Sequence, residues 1–169
     1  KERAEITVKG TGDISVVIGT QPSGQGHETS FAQVVAEVLC VPVETVTIVL
    51  GDTDIVSVGG GSHSGRSMRH AGTVMLQTAE ELLEDARNKA ATLFEAPPET
   101  VEFDDGHFAI PGTNQTISLV ELAKVSEDGQ LFAARTNEMH QPVFPNGAAL
   151  CEMEIDPDTG VPTIARYFT

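Results

Sequence analysis

Two glycine-rich segments, each followed by a helical pattern, constrain the fold of this chain more than any other feature. The first glycine loop (residues 19–29) precedes apolar positions that repeat at helical spacing over residues 28–39, and Pro42 ends that pattern. The second glycine loop (residues 59–67) precedes a longer helical pattern over residues 67–94. Because glycine-rich segments do not form packed elements by themselves, the chain is expected to alternate such loops with the helices that they lead into.

Short apolar and β-branched runs predict strands around these helices. Residues 4–8 and 14–18 form a predicted hairpin, and residues 46–50 form a predicted strand covered on both faces. The remaining predicted elements are a hairpin at 101–103 and 107–110, a helix at 118–125 with Ser118 and Glu121 in a capping box, and strands at 131–135, 148–155 and 161–168. The sequence therefore predicts an α+β fold in a single domain spanning residues 1–169, a mixed β-sheet with two main helices following glycine-rich loops, plus a shorter helix.

The charge of the chain excludes some classes of partner. Ten Lys and Arg residues against 25 Asp and Glu residues give a net charge of −15, which disfavours binding to nucleic acid or to an anionic membrane surface. The apolar runs are too short to predict a membrane span. Two acidic groups are expected to lie on solvated faces: Glu80, Glu81, Glu84 and Asp85, and Glu99, Glu102, Asp104 and Asp105.

The two cysteines, Cys40 and Cys151, lie far apart in the sequence and end or interrupt apolar patterns. They are expected to be buried free thiols. With no signal-peptide pattern at the N-terminus, a reducing cytoplasm is the expected location.

The first glycine loop has the chemistry of an anion-binding turn. Gly24 and Gly26 allow the backbone to approach a bound group closely, and the helix that follows directs unpaired N–H groups and a partial positive charge toward the loop. The dipole contributes only about 0.3–1 kcal/mol when exposed, so affinity requires several convergent hydrogen bonds. Gln25 can donate and accept at once, and it is the natural source of some of them.

The second glycine loop adds hydroxyl groups and a guanidinium to a similar arrangement. Arg66 is expected to hold a phosphate bidentately, with the loop serines bonding the remaining oxygens. Together the two loops indicate one extended phosphate-bearing ligand. Each loop taken alone is equally consistent with a simple connector between a strand and a helix.

Several other sites are disfavoured by spacing. Gly24 and Gly26 lack the third glycine of a dinucleotide fingerprint, and no phosphate-binding P-loop is present. Phe31 stands where a zinc-protease helix has its second histidine, and the other histidines lack ligand spacing, so no metal ligand is predicted. No nucleophile elbow surrounds the loop serines, and Asp52 and Asp54 are expected to make turn hydrogen bonds, so no catalytic residue is predicted either.

At these loops the chain closely resembles the xanthine dehydrogenase/aldehyde oxidase family of molybdenum hydroxylases, which includes the large subunit of aerobic carbon monoxide dehydrogenase. The resemblance covers essentially the whole chain, in family order. The matching segments are TQPSGQGHET (20–29), VP (41–42), LGDTD (50–54), GSHSGRS (61–67), FPNG (144–147) and EIDPDTG (154–160).

The resemblance implies that both loops contact the molybdopterin cofactor, in the cytosine dinucleotide form. Residues Gly24, Gln25, Gly26 and His27 are implied to contact the pterin and phosphate, and Ser62, Ser64, Gly65, Arg66 and Ser67 to cradle the dinucleotide or phosphate end. Many relatives carry serine where Gly65 stands, so only the N–H of this residue is available for a contact.

The implied activity of the family is hydroxylation of a carbon centre with oxygen from water, with electrons passing to Fe-S clusters and FAD on other domains or subunits. The family's general-base glutamate lies far toward the C-terminus, outside the motifs of this sequence, and another part of the cofactor site lies upstream. The chain is thus expected to bind cofactor within a larger subunit rather than to catalyse alone. Its expected partners are the remainder of the large subunit and the iron–sulfur and flavin subunits or domains.

An alternative from another class is a non-catalytic folding or protein-interaction module whose glycine loops are only connectors. In that case, exposed strand edges would pair with a neighbouring chain, including a second copy in a homo-oligomer. The sequence does not identify a substrate under either hypothesis.

Overall fold

A computed structural model of the chain describes residues 1–141, 144 and 146–169. The FPNG segment includes Pro145, which lies outside the described residues. The predicted α+β architecture is confirmed, with helices and both parallel and antiparallel strand pairs.

The main sheet has four strands, in the order β3-β2-β1-β7. Strands β1 (Glu2–Lys9) and β2 (Ile14–Ile18) form the predicted hairpin, and β7 (Gln130–Asn137) lies antiparallel to the other side of β1. Strand β3 (Val46–Val49) pairs in parallel with β2, and helix α1 (His27–Leu39) connects them. The first glycine loop therefore follows the carboxyl end of a strand and opens directly into α1.

Helix α2 (Gly72–Phe94) is the longest element and follows a π-helical turn, Ser67–Ala71. The predicted helical stretch is thus present, but its first turn is wound more widely than an α-helix. Beyond α2 lie a small sheet of β4 (Glu102–Asp104), β5 (His107–Ala109) and β6 (Thr116–Ser118), and helix α3 (Leu119–Val125). Single 3₁₀ turns at Val43–Thr45 and Pro98–Thr100 precede β3 and β4.

The core lies between one face of the main sheet and the three helices. Alternate residues of β1 are fully buried, and the residues between them are only half-buried, as the period-two pattern predicts for a sheet with one covered face. On α2 the buried positions include Val74, Met75 and Leu82 and several alanines, which let the helix pack closely against the sheet and α1. This packing fixes where the helices begin, and both main helices begin beside the glycine loops.

A separate hairpin of β8 (Leu150–Ile155) and β9 (Pro162–Phe168) ends the chain. Asp156 accepts hydrogen bonds from the backbone N–H groups of Asp158 and Thr159 in the predicted turn. All residues of both strands are exposed, including the apolar Leu150, Ile155 and Ile164.

Two sequence expectations are wrong. Strand β3 lies at the edge of the main sheet and only Val46 is buried, so it is not covered on both faces. Cys40 and Cys151 carry free thiols but both are exposed. Cys40 follows the last buried residue of α1 in a left-handed conformation that turns it outward, and Cys151 belongs to the exposed hairpin. The acidic groups at 80–85 and 99–105, by contrast, are exposed as predicted.

Candidate functional site

The two glycine loops start from a common point, where the backbones of Gly19 and Gly59 touch. A Cβ atom placed on Gly19 would lie 2.2 Å from the Cα of Gly59, and one placed on Gly59 would lie 2.5 Å from the carbonyl oxygen of Gly19. Any side chain at either position would collide with backbone, which cannot move aside. The loops are therefore joined at the base because both positions are glycine.

A chain of hydrogen bonds also joins the loops farther out. The Nε2 of Gln25 donates to the Oγ of Ser62 at 3.4 Å, and the Oγ atoms of Ser62 and Ser67 lie 2.5 Å apart. The Oε1 of Gln25 accepts from the backbone N–H of Ser23 at 2.5 Å. Gln25 thus accepts within its own loop and donates to the other, which brings the two predicted halves of the site together.

A cavity of about 340 Å³ lies between the loops, and it is lined by Gln25, His27, His63, Ser64, Gly65, Ser67 and Met68. Five of these residues were predicted from the sequence to contact a ligand. Larger depressions exist elsewhere, and one of about 690 Å³ is lined by Glu84, Glu99, Glu102 and Arg87 among others. Its three carboxylates outnumber the one guanidinium, so the smaller cavity between the loops fits the predicted anion better.

The first turn of α1 has no side-chain cap. Gly26 is its N-cap with a φ of 70°, and Gly24 has a φ of 109°, both in the region that favours glycine. No heavy atom lies within 4 Å of a Cβ placed on either glycine. The helix therefore presents free N–H donors and its positive dipole end at an open position, where an anion is stabilised.

Within the described residues, three buried side-chain polar atoms in the loops or their supports have no hydrogen-bond partner. They are Oε1 of Glu2, Oγ1 of Thr20 and Nε2 of His27. Folded proteins rarely leave such atoms unpaired, because each costs about 1–3 kcal/mol. All three lie in the first glycine loop or beneath the second.

His27 is the unpaired group that lines the cavity itself. Its side chain is buried and its ring stacks on Phe31, with 4.6 Å between centroids and 11° between planes. Nδ1 lies 3.5 Å from the Oγ of Ser30, whereas Nε2 has no partner. The ring is thus held in place by packing and leaves one nitrogen for a ligand.

Arg66, which the sequence predicts to hold a phosphate bidentately, makes three hydrogen bonds within the chain. Its guanidinium donates from Nη2 to the Oε2 of Glu2 at 3.0 Å and to the Nδ1 of His70 at 2.8 Å, and from Nη1 to the carbonyl oxygen of Gly61 at 2.5 Å. A Cβ on Gly60 would lie 2.5 Å from Nη2, so the guanidinium lies flat against the second glycine loop. These hydrogen bonds hold the second glycine loop against the rest of the protein.

His70 sits in the π-helical turn and accepts from Arg66. Burial lowers the pKa of His70 below its ordinary value, and the positive charge of Arg66 lowers it further. Since a guanidinium can only donate, Nδ1 must be the unprotonated nitrogen. The neutral form of the His70 ring is therefore the one that makes the hydrogen bond with Arg66 in the folded loop.

The comparison with known families decides what kind of site this is. The sequence profile described as "Molybdopterin cofactor-binding domain" matches residues 1–169, the whole of the chain. The chain belongs to the molybdopterin cofactor-binding domain family. The resemblance noted in the sequence is confirmed, and the cavity between the loops lies in a cofactor-binding domain.

Curated relatives of this cofactor-binding domain are subunits of much larger enzymes. It is 36% identical over 177 residues to the gamma subunit of the 6-hydroxypseudooxynicotine dehydrogenase complex of Paenarthrobacter nicotinovorans, covering 99% of this chain and 22% of the relative. It is 31% identical over 175 residues to the carbon monoxide dehydrogenase large chain of Afipia carboxidovorans, again covering 99% and 22%. The chain thus spans about a fifth of the length of these relatives.

Solved structures agree with the fold. A Cu,Mo-CO dehydrogenase superposes with a TM-score of 0.86 at 32% identity, over 98% of this chain and 22% of that one. Quinoline 2-oxidoreductase from Pseudomonas putida 86 superposes with a TM-score of 0.77 at 28% identity over the same shares. The arrangement of strands, loops and helices in the cofactor-binding domain is that of this group of enzymes.

The structure also supplies one residue that sequence reasoning missed. Glu2 is fully buried beneath the second glycine loop, although it reads as part of a charged N-terminal segment. Its signal was available, because Glu2 falls on the same face of β1 as Ala4, Ile6 and Val8. A carboxylate in register with three core residues indicates a buried, partnered charge.

In the described part of the chain, no group of three or more His, Cys, Asp and Glu side chains is arranged to hold a metal ion. None of the helices in that part is long and apolar enough to cross a membrane.

Proposed function

We propose that this domain holds one side of the molybdenum cofactor in the large subunit of a molybdenum hydroxylase, with both glycine loops contacting the pterin and phosphate-bearing parts. The observation that carries the proposal is a cavity between the two loops that is lined by polar groups of both loops, including His27, whose buried Nε2 is unpaired. The prediction that residues 1–169 form one domain of that region stays a prediction.

The residues present fit such a group. The uncapped start of α1 and the glycines at 24 and 26 offer backbone donors to an anion, while Gln25 and Nε2 of His27 offer polar side-chain groups. On the opposite wall lie Ser64, Gly65 and Ser67, and Ser62 bonds the lining residues Gln25 and Ser67. The chain can bind a phosphate-bearing ligand despite its acidity because dipoles and hydroxyl groups line this cavity and no acidic residue is among the lining residues, although Glu28 lies in the adjoining first turn of α1.

When bound, the molybdenum cofactor supplies the redox centre at which this family hydroxylates carbon with oxygen from water. The chain's own groups bind and orient: the loops hold the ligand between them, and no residue here is assigned a catalytic role. Relatives named for 6-hydroxypseudooxynicotine, carbon monoxide and quinoline share this fold. We therefore propose that the loops bind the cofactor, which such enzymes have in common, and not the substrate. For the form of the cofactor we propose the cytosine dinucleotide.

The proposed partners are the remainder of the large subunit and the iron–sulfur and flavin subunits or domains. The exposed apolar hairpin of β8 and β9 is consistent with packing against that remainder. A homo-oligomer through exposed strand edges and a cytoplasmic location stay predictions. The alternative, a non-catalytic interaction module whose glycine loops are only connectors, is disfavoured because the chain belongs to a cofactor-binding family.

The test uses the complete large subunit with Gln25→Ala and Ser62→Ala combined. These substitutions remove the bridge between the loops and two ligand-facing polar groups, so the molybdenum and pterin content per subunit should fall about tenfold or more. Gln33→Ala, an exposed glutamine on α1 outside the cavity, is the control and should retain full content. Unchanged cofactor content in the loop variant would show that the proposed function is wrong.

A further inference from the structure

Glu2 is a charged side chain in an apolar position. It is the first residue of β1 and is 0% exposed, as are Ala4, Ile6 and Val8 on the same face of the strand. A buried carboxylate is costly unless it is paired and hydrogen-bonded. A carboxylate at such a position therefore needs a role that an apolar residue could not fill.

The contacts of Glu2 lie where the two loops meet. Its Oε2 accepts from the backbone N–H of Gly60 at 3.2 Å and from the Nη2 of Arg66 at 3.0 Å. Its Oε1 lies 2.6 Å from the position that a Cβ on Gly19 would occupy. The carboxylate thus touches the base of the first loop and bonds two residues of the second.

Arg66 carries this contact along the second loop. Its Nη1 bonds the carbonyl oxygen of Gly61, while Nη2 is shared between Glu2 and His70. The guanidinium is therefore held by three groups, which are the carboxylate of Glu2, the imidazole of His70 and the backbone of the second glycine loop. With its donors engaged in this way, Arg66 shapes the path of residues 60–62 toward Ser62, which Gln25 contacts from the other loop.

We infer that Glu2 is a positioning residue, which acts through Arg66 to hold the second glycine loop in its ligand-binding conformation. The inference rests on the proposed function, because it supposes that this loop binds the cofactor. Holding a glycine-rich loop in place before binding reduces the entropy lost when the ligand arrives, which strengthens binding without a direct contact. The residues that touch the ligand remain those of the loops themselves.

The first experiment compares Glu2→Gln with Glu5→Gln in the complete large subunit. Glu5 is on the same strand and pairs with Arg3 at 2.8 Å, but it is 26% exposed, so it controls for losing a β1 carboxylate. In cofactor-free protein, hydrogen exchange of the amides at 59–66 should speed up in Glu2→Gln and stay unchanged in Glu5→Gln. Cofactor retained after dialysis should fall about tenfold in Glu2→Gln only, as for other residues that orient a ligand-binding group.

A double-mutant cycle with Arg66→Gln separates positioning from direct contact. If Glu2 acts through Arg66, the double variant should lose no more cofactor than either single variant. Losses that multiply, or unchanged exchange at 59–66 in Glu2→Gln, would overturn the inference. Should Glu2→Gln fail to fold, Glu2→Asp, which keeps the charge but shortens the reach, provides the same comparison.

The failure of the inference is distinguishable from that of the proposed function. Cofactor loss in the Gln25→Ala, Ser62→Ala variant together with full retention in Glu2→Gln would overturn the role of Glu2 and leave the loops as the binding site. Full retention in both variants would overturn both.

Discussion

At the scale of one residue, the proposed ligand contact of His27 can be tested by substitution. Replacing it with phenylalanine keeps an aromatic ring on Phe31 and removes the unpaired Nε2. The free energy of unfolding of the cofactor-free protein should then stay the same or rise by up to about 1 kcal/mol, because a buried polar atom without a partner is removed. Cofactor retention should fall. Urea unfolding of the cofactor-free protein and molybdenum analysis of the loaded subunit measure the two effects.

A His27→Phe variant that is destabilised by several kcal/mol would show instead that His27 is a structural residue with a partner in the folded chain. Phe31→Leu is the matched control: it weakens the stacking contact from the other side and should lower stability without removing a polar group.

His70 gives the domain a predicted pH dependence. Its pKa is lowered in the folded state by burial and by Arg66, whereas the unfolded residue titrates near 6.5. Below that pH the unfolded chain binds the extra proton first, so stability is lost as pH falls through about 6.5 toward the lower folded pKa. A hydrogen bond to the backbone of Asn137 and the charge of Glu2 oppose this shift. The measurement is the unfolding free energy between about pH 7.5 and 5.5, above the range of ordinary carboxylates.

Two variants check the assignment of that slope to His70. His70→Gln should flatten the slope, whereas His140→Gln, at a side chain that is 81% exposed, should leave it unchanged. A slope that survives His70→Gln would assign it to another group.

Residue roles were only partly predictable from the sequence. Gln25 and Ser67, which line the cavity between the loops, were found by motif, because loop chemistry is local. The partners of Arg66 were not, since Glu2 lies 64 positions away and meets it only when β1 and the second loop are brought together. The prediction that Cys40 is buried was wrong for a similar reason. Apolar periodicity placed Cys40 on a helix, but the left-handed turn after Leu39 points this residue outward.

At the scale of elements, α3 depends on its capping box. The Oγ of Ser118 accepts from the backbone N–H of Glu121 at 3.2 Å, and the Glu121 carboxylate accepts from the backbone N–H of Ser118 at 3.0 Å. Ser118→Ala should therefore destabilise the domain by about 1 kcal/mol. Ser57→Ala, at an exposed serine outside any helix, is the control for urea unfolding and should be neutral.

The pKa of Glu121 provides a second readout of the same cap. The hydrogen bonds from Ser118 lower this pKa, so the cap should weaken as pH falls through the folded value and the carboxylate becomes protonated. If Ser118→Ala leaves both stability and the titration of Glu121 unchanged, the capping box contributes nothing in solution.

Elements with strong local signals were predicted well, and those that depend on neighbours were not. The capping box and the hairpin of β1 and β2 were found because their residues act within a few positions of one another. Strand β6 was missed because its three residues form a strand only by pairing with β5. The π-helical turn at Ser67–Ala71 also has no sequence signal of its own, and it coincides with the support of the second glycine loop.

At the scale of the whole molecule, two loops distant in sequence form one cavity. The sequence predicted that both loops serve one ligand, but not how they meet. The contact of Gly19 with Gly59 and the bond between Gln25 and Ser62 supply that link. These contacts depend on the parallel pairing of β2 with β3 and on the start of α2, which are properties of the assembled fold.

The most direct test of this account is hydrogen exchange of the complete large subunit with and without bound molybdenum cofactor. If the cavity is the binding site, amides at 24–28 and at 60–67 should both gain protection on loading, while amides of the exposed turn at 111–114 should not change. Protection confined to one loop, or absent from both, would contradict the central claim that the two glycine loops hold one ligand between them.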